Sequence, residues 1–556
     1  MPLLCVAAAL ALGWGLSGWR LLDPDEGRNA EVAREMALSH DYVVPHLDGL
    51  PYLDKPIVYF AAAAVTMAVF GPSEAAARLP AYLSTLATLV LLVAFARRRW
   101  GRDAGWLAGL AFVTMPLVLA YARETIFDAT LTFFITAAIL ALVEERPALA
   151  WAAMGLGAIT KGPIALLLPL LAVLPWAIAT GRSWRRLVSL PALAAFAVTA
   201  LPWFVAVSLR HPDFPHYVFV RETLQRVTTR SFHRTAPFWY YLPIALVGPF
   251  PWVVPALARL RRWRAAWAAR RSDPAAGDAL LLASWVLVPL VFLSLNQSKL
   301  PHYILPLMPA LALAAARALA ADAGLTAWRW ATGALAAVGV LLLTLTRWMP
   351  APLSLTPAEK AAIPPTVLVL GVVLLAAAAL VASGARWGRP DLAAVGYAAC
   401  VMAIPFAGAR LLAAVGDDRS SGPIVNATMA ALRGGGDVIG VAAYPPSLPF
   451  YMRRLVPVAT ATGRELTSNY IADQQDAFRA LPGSPLLPAD AWRDALARCA
   501  TPTVFITRRG DAAGRATLGA TLPLLAEDAR YAAYGPCRPS KHPQPPGPPP
   551  RGGRVP

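Results

Sequence analysis

Long apolar runs separated by short charged turns fill the chain from residue 3 to about residue 414. Many approach the ~20 residues that an α-helix needs to cross hydrocarbon. The pattern predicts spans near 3–22, 79–96, 104–120, 128–143, 148–160, 162–180, 188–208, 239–258, 279–295, 303–320, 328–347, 365–383 and 391–414, which is about 13 by that length rule. The run 57–70 holds only about 14 residues, too few for a span, and is expected to lie along the membrane surface. The first run has neither a basic start nor a small-residue cleavage site, so it is expected to be retained rather than removed as a signal peptide.

Charge tests this assignment independently. With 57–70 kept on the surface, four basic turns fall on one side: Arg97-Arg98-Arg99-Trp100-Gly101-Arg102, Arg182/Arg185/Arg186, Arg259 through Arg271, and Arg386/Arg389. Cytoplasmic loops collect Lys and Arg, so that side is the cytoplasmic one. A full span at 57–70 would throw every later basic turn to the wrong side. The opposite face then holds 23–78, 122–128, 209–238, 296–303, 348–364 and everything after about 415. Composition agrees, because a chain that is 57% hydrophobic and 15% charged is too apolar for a soluble multidomain protein. The formal net charge of +18 resides largely in the orienting arginines, so no nucleic acid is expected as a partner.

The fold class is therefore a polytopic α-helical membrane protein with a C-terminal α/β domain. The expected divisions are a transmembrane domain over 1–414, an α/β domain over 415–535 and a Pro-rich tail over 536–556 that cannot pack. Within the α/β region, Val438–Ala443 and Thr503–Thr507 read as strands and Ala489–Ala500 as a helix. Cys499 and Cys537 lie in the polar C-terminal region and could pair in an oxidising compartment or remain two thiols; Cys5 and Cys400 lie in apolar runs.

The candidate chemistry lies in the polar, charge-dense loop 23–56 and in turns on the same face. Asp25 and Asp128 sit at the ends of separate helices and could converge above the bundle. Two such acids can act as general base and electrostatic orienter, or hold a divalent cation. The plainer reading of an Asp at a helix start is an N-cap. Lys55, followed by Pro56, and Lys299, two residues before Pro301, stand at the edge of apolar segments. The loop 209–238 adds Arg221, Glu222, Arg226, Arg230, His233 and Arg234 among aromatic residues. Cations in that setting suit the phosphate of a long lipid, although each taken singly could merely snorkel to water. His302, His233 and Glu222 could ligate a metal, but their spacing matches no compact zinc motif.

These motifs together resemble the bacterial polyprenyl-phosphate-sugar glycosyltransferases related to protein O-mannosyltransferases, of the membrane GT-C fold. The resemblance rests on Asp25-Glu26-Gly27-Arg28 with Ala30-Glu31 and Arg34-Glu35-Met36, on Tyr52-x-Asp54-Lys55-Pro56, and on Ala77-Arg78-Leu79-Pro80 after Gly71. It continues through Arg123-x-x-x-x-Asp128, Thr160-Lys161-Gly162-Pro163, Gln225-Arg226, the run Pro237 to Pro243, and Ser298-Lys299-Leu300-Pro301-x-Tyr303. With Leu448-Pro449-Phe450-Tyr451 in the tail, the chain looks most like the aminoarabinose transferases that modify lipid A, whose extra domain is periplasmic.

The resemblance implies an inner-membrane enzyme that moves a sugar from undecaprenyl phosphate to an acceptor at the periplasmic face, such as lipid A, by an inverting single displacement. By similarity Asp25 and Asp128 are catalytic. Arg28, Tyr52, Lys55, Lys299, Arg226 and Tyr303 would form the donor pocket, and no cofactor is required beyond a divalent cation that Asp54, Glu222 and His233 could hold. The chain departs from the usual pattern at Asp54-Lys55-Pro56-Ile57, where Glu-Lys-Pro-Pro is common, and at Asn29, where an aromatic often follows the arginine. Transfer of another sugar to protein or glycan is the alternative. A lipid-linked sugar transporter is more remote, because transporters place charges at mid-membrane and often carry paired repeats.

Overall fold

The computed structural model describes residues 2–218, 221, 236–258, 263–321, 326–345 and 355–538. Arg226, Glu222, Arg230, His233 and Arg234 lie outside the described residues, as does 539–556 of the expected tail. Among the described residues, seven helices are long and apolar enough to cross a membrane, from Glu74–Trp100 to Pro390–Ala407, and shorter apolar helices such as Asp128–Val143 and Ile164–Thr180 pack among them. The protein is a multi-span membrane protein.

Several expected spans are broken, and proline is the common cause. The run 104–120 splits into Arg102–Val113 and Pro116–Tyr121. Pro116 has no N–H to continue the ladder, while Thr114 Oγ1 donates back to Leu110 O at 2.6 Å and accepts from Trp252 Nε1 at 2.9 Å. The run 239–258 holds Tyr241–Val247 and Val253–Ala258, separated by a segment containing Pro249 and Pro251. The run 391–414 becomes Pro390–Met402, Ile404–Ala407 and Ala409–Arg419. The first helix stops at Leu12, ahead of a turn containing Gly13, Gly15 and Gly18. The short run forms a 13-residue helix, Val58–Phe70, packed between Asp25–Ser39 and Glu74–Trp100.

The segment read as a charged loop is mainly a helix, Asp25–Ser39, followed by a hairpin. Its sequence is rich in Ala, Glu and Arg, all good helix formers. His40, at φ 55°, ends it in the left-handed region. The hairpin His46–Leu47 with Leu50–Pro51 turns at Asp48 and Gly49, both at positive φ, the geometry of a two-residue I′-type turn. The helix buries its charges by pairing them. Arg78, fully buried, donates from Nε and Nη2 to both oxygens of Glu26 at 2.9 and 2.8 Å. The remaining Arg78 donors reach the carbonyls of Leu16, Trp19 and Arg20. Arg34 grips Glu31 by two bonds of 2.7 and 2.6 Å, and Glu35 accepts from the backbone N–H groups of Asp48 and Gly49.

The C-terminal region carries a six-stranded sheet in the order Leu486–Leu487, Val458–Ala459, Asp437–Val441, Thr503–Arg508, Tyr531–Cys537, Leu524–Glu527. The first four are parallel and the last two antiparallel. Asp437–Val441 and Thr503–Arg508 are buried on both faces, as parallel strands covered by helices are. Cys499 and Cys537 form a disulfide with Cα atoms 6.0 Å apart. The residues just past the carboxyl end of Asp437–Val441 dock on the start of the helix Asp25–Ser39. Ser447 Oγ donates to Asp23 Oδ2 at 2.9 Å, and Asp48 Oδ1 accepts from Val456 N at 2.7 Å. A Cβ on Gly27 would lie 2.6 Å from Ser447 N, so only glycine permits this approach. Burial pushes the Asp23 carboxyl up to about 7 against the pull of Arg530.

Candidate active site

A cavity of about 640 Å³ opens where the helix Asp25–Ser39, the 52–56 segment, the starts of Asp128–Val143 and Ile164–Thr180, the 296–303 turn and the 467–469 loop meet. Its polar lining includes Asp25, Arg28, Asn29, Lys55, Asp128, Lys161 and His302. Leu131, Ile164, Leu167, Phe204, Phe214 and Phe292 add apolar lining. Such a mixed lining suits a ligand with an ionic head and a hydrocarbon tail.

Each acid has a cation of its own. Arg28 Nη2 donates to Asp25 Oδ1 at 2.6 Å, three residues along the same helix. Arg28 Nη1 reaches across to the carbonyl and hydroxyl of Thr467, at 3.1 and 3.0 Å, and the guanidinium lies over the Tyr52 ring at 5.9 Å. Asp128 receives Lys161 Nζ on both oxygens at 2.6 Å, and His302 Nε2 stands 3.7 Å from its Oδ2. Lys161 also lies 4.7 Å from the centre of the Tyr303 ring. A buried acid without such a partner would take up a proton rather than stay ionised. Glu124, in the turn just before Asp128, has three carboxylates around it. Burial first, then Glu26, Asp25 and Asp128, push it up to about 8 against Arg78.

Asp25, Arg28, Tyr52, Lys55, Asp128 and Tyr303 all line this one cavity. Asp54 lines it too, yet its carboxylate is engaged by the C-terminal region. Tyr217 Oη donates to it at 2.5 Å, the N–H groups of Asn469 and Tyr470 reach it at 3.0 and 3.3 Å, and Ser468 Oγ bonds the other oxygen. Asp54 thus ties the 52–56 segment to the helix Asn469–Asp473. Among the described residues, no group of three or more His, Cys, Asp or Glu is placed to hold a metal ion. Lys299 is not among the residues that line the cavity and donates to the carbonyls of Ala236, at 3.0 Å, and Asn296.

Sequence reasoning left Lys161 without a role at the site. It lies in the Thr160-Lys161-Gly162-Pro163 turn between two spans, and a lysine at the end of an apolar helix is the signal that could have flagged it. Thr467 and Asn469 were also missed, since nothing in the sequence brings the C-terminal region to this cavity.

Comparison with known proteins fits this geometry. Residues 54–209 match the family described as dolichyl-phosphate-mannose-protein mannosyltransferase. The backbone follows the crystal structure of ArnT from Cupriavidus metallidurans bound to undecaprenyl phosphate, with a TM-score of 0.81 and 26% identity over 98% of this chain and 99% of that one. The chain is similar to these membrane proteins in part of its sequence and across its fold. Proteins similar in sequence include the undecaprenyl phosphate-alpha-4-amino-4-deoxy-L-arabinose arabinosyl transferases of Aeromonas salmonicida, 36% identical over 53% of this chain, and Pectobacterium carotovorum, 34% identical over 60%. The matched region spans 55% and 59% of those two relatives' lengths. An oligosaccharyltransferase from Archaeoglobus fulgidus in its apo form shares the fold, with a TM-score of 0.52, at 11% identity over 92% of this chain and 70% of that one.

Proposed function

We propose that the protein is a membrane glycosyltransferase that moves 4-amino-4-deoxy-L-arabinose from undecaprenyl phosphate to a phosphate of lipid A at the periplasmic face of the inner membrane. The observation that carries this reading is one cavity lined both by two separately paired acids and by hydrocarbon-like side chains. In the reaction the bond from the sugar's anomeric carbon to the donor phosphate breaks, and a bond to the acceptor oxygen forms on the opposite face. The phosphate leaves with the electron pair. Lys55 and the Tyr303 hydroxyl, with Arg226 by similarity, stabilise the charge that develops there. Asp25, fixed by Arg28, orients the acceptor and takes a proton where the acceptor is a hydroxyl; a lipid A phosphate is already anionic and has none to give. Asp128, fixed by Lys161, orders the opposite side. The roles of Asp25, Arg28, Tyr52, Lys55, Asp128 and Tyr303 are proposed on their shared cavity and on the family resemblance. The reading puts the C-terminal domain on the same face as the cavity, and the presence of Thr467 and Asn469 in the cavity lining supports it.

Mass spectrometry of lipid A from cells lacking the protein, complemented with wild type or Asp25→Ala, tests the reading. Loss of a pentosamine mass that only wild type restores is expected. Unchanged lipid A would rule out this sugar and acceptor and move the search to other sugars on periplasmic glycans and proteins.

A further inference from the structure

The run Thr467 to Tyr470 belongs to the C-terminal region, yet Thr467 and Asn469, both exposed, line the cavity. The run is held at two points. Arg28 Nη1 donates to the carbonyl and hydroxyl of Thr467, at 3.1 and 3.0 Å, while Nη2 of the same guanidinium holds Asp25. Asp54 takes the rest: its Oδ1 accepts from the N–H groups of Asn469 and Tyr470, at 3.0 and 3.3 Å, and its Oδ2 from Ser468 Oγ. Tyr217 Oη adds a fourth donor, at 2.5 Å to Oδ1, and its ring lies edge-on to that of Tyr470 with centres 5.0 Å apart. Asp473, at the end of the helix Asn469–Asp473, pairs with Arg221 at 2.6 Å. The backbone carbonyl of Asp54 in turn accepts from Lys55 Nζ at 2.8 Å. An unbroken line of contacts therefore runs from Asp25 through Arg28, residues 467–470 and Asp54 to Lys55.

Thr467 shows that this seat is imposed. It is β-branched and holds φ at 56°, in the left-handed region that such residues rarely occupy. Conformations of that kind persist only where the surroundings over-determine them, and they gather at functional sites. Here both bonds from Arg28 Nη1 fall on the strained residue itself.

Resting on the function proposed above, we infer that residues 467–470 are part of the active site and that Asp54 is the positioning residue that seats them, fixing Arg28 and Lys55 relative to each other. The Asp54 carboxylate serves as an acceptor for the protein's own donors, so what it must keep is its oxygen and not its charge. A region far along the chain thereby sets the spacing between the acid Asp25 and the cation that meets the donor phosphate. A displacement between two bound molecules depends steeply on such spacing.

The test uses the full-length protein in lipid nanodiscs, undecaprenyl phosphate carrying 4-amino-4-deoxy-L-arabinose, and lipid A, with rates taken per folded protein. Asp54→Ala should lower kcat/KM by about 10-fold or more, with the donor KM raised at least about 3-fold, because Lys55 then meets the phosphate from a looser segment. Asp54→Asn keeps an oxygen for the N–H groups of Asn469 and Tyr470, and its amide can donate to Ser468 Oγ once that hydroxyl turns round. It should therefore stay within about 3-fold of wild type, the difference between charged and neutral acceptors. Ser468→Ala should lower kcat/KM in the wild-type background and add no more than about 2-fold to Asp54→Ala, since both break the same seat. Asp54→Asn as slow as Asp54→Ala would mean that the charge itself acts, as a base or a cation ligand, and overturns the inference. So does a donor KM unchanged in Asp54→Ala, the mark of a clamp that serves folding alone. Should Asp54→Ala not fold, Asp54→Ser takes its place under the same criteria. Those outcomes leave the function standing, whereas wild type that transfers no sugar overturns the function and this inference with it.

Discussion

Two ion pairs start from neighbouring residues of one helix and serve opposite ends. Glu26 pairs with Arg78 in a dry knot where every donor of Arg78 is used on a carboxylate or a carbonyl. Asp25 pairs with Arg28 at the cavity, with its side chain 38% exposed. The dry pair leaves no room for a substrate and joins the 16–20 turn, the helix Asp25–Ser39, the helix Glu74–Trp100 and Thr125. The open pair keeps an acid charged and within reach of something that arrives. Adjacent acids of one motif thus divide into one that holds the site together and one that faces the ligand.

The sharpest way to break the comparison is to remove one partner of the dry pair. Arg78→Met strands Glu26 in a buried site and should cost about 3–5 kcal/mol, read as a fall in the thermal unfolding midpoint and in folded yield. The double variant Glu26→Gln/Arg78→Met should be less damaging than the sum of its parts. Asp25→Asn should do the reverse. It should change stability by no more than about 1 kcal/mol, yet lower the rate of sugar transfer by about 10²–10⁴-fold.

Gly27 tests the docking side of the same helix. Gly27→Ala places a Cβ 2.6 Å from the Ser447 nitrogen, and should cost about 1–3 kcal/mol by pushing the C-terminal domain away. Limited proteolysis of the C-terminal domain would then speed up in the variant.

Glu124 separates the two pairs by pH. Its carboxyl, raised to about 8, is neutral below that pH and ionised above it, which adds a third negative charge beside Asp25 and Asp128. Transfer should therefore decline as pH rises through about 8, and Glu124→Gln should remove that decline in a pH–rate profile. The smallest effect is expected at Lys299, which is occupied by the carbonyls of Ala236 and Asn296. Lys299→Met should change the donor KM by less than about 3-fold, because an interaction made with the protein's own backbone adds nothing to donor binding.

Hydropathy made the membrane architecture legible, and the run 128–143 matches its helix Asp128–Val143 because acids bound it on both sides. Averaging over ~20 residues hid the breaks at Pro116, Pro249/Pro251 and Pro405, since proline alters hydrogen bonding without lowering the apolar content. Residues 25–39 read as a solvated loop because their charges were counted as exposed. In the fold, Arg78, the hairpin and the C-terminal domain cover them. The acids of the site were visible in the sequence as Asp25 and Asp128. Their partners divided by distance: Arg28 lies three residues away from its acid, whereas Lys161 lies 33 residues from Asp128 and meets it only through helix packing. The Cys499–Cys537 pairing was open for the same reason, being set by strand order rather than by spacing.

The central claim is that the cavity between Asp25 and Asp128 transfers a sugar from a polyprenyl phosphate. The most direct measurement is the release of free undecaprenyl phosphate by purified protein in nanodiscs, supplied with undecaprenyl phosphate-linked aminoarabinose and lipid A. Wild type should release it in step with glycosylated lipid A, and Asp25→Asn and Asp128→Asn should each lower the rate of folded protein at least about 10²-fold, Asp25→Asn with little change in its unfolding midpoint. Wild-type rates in both variants would contradict the account.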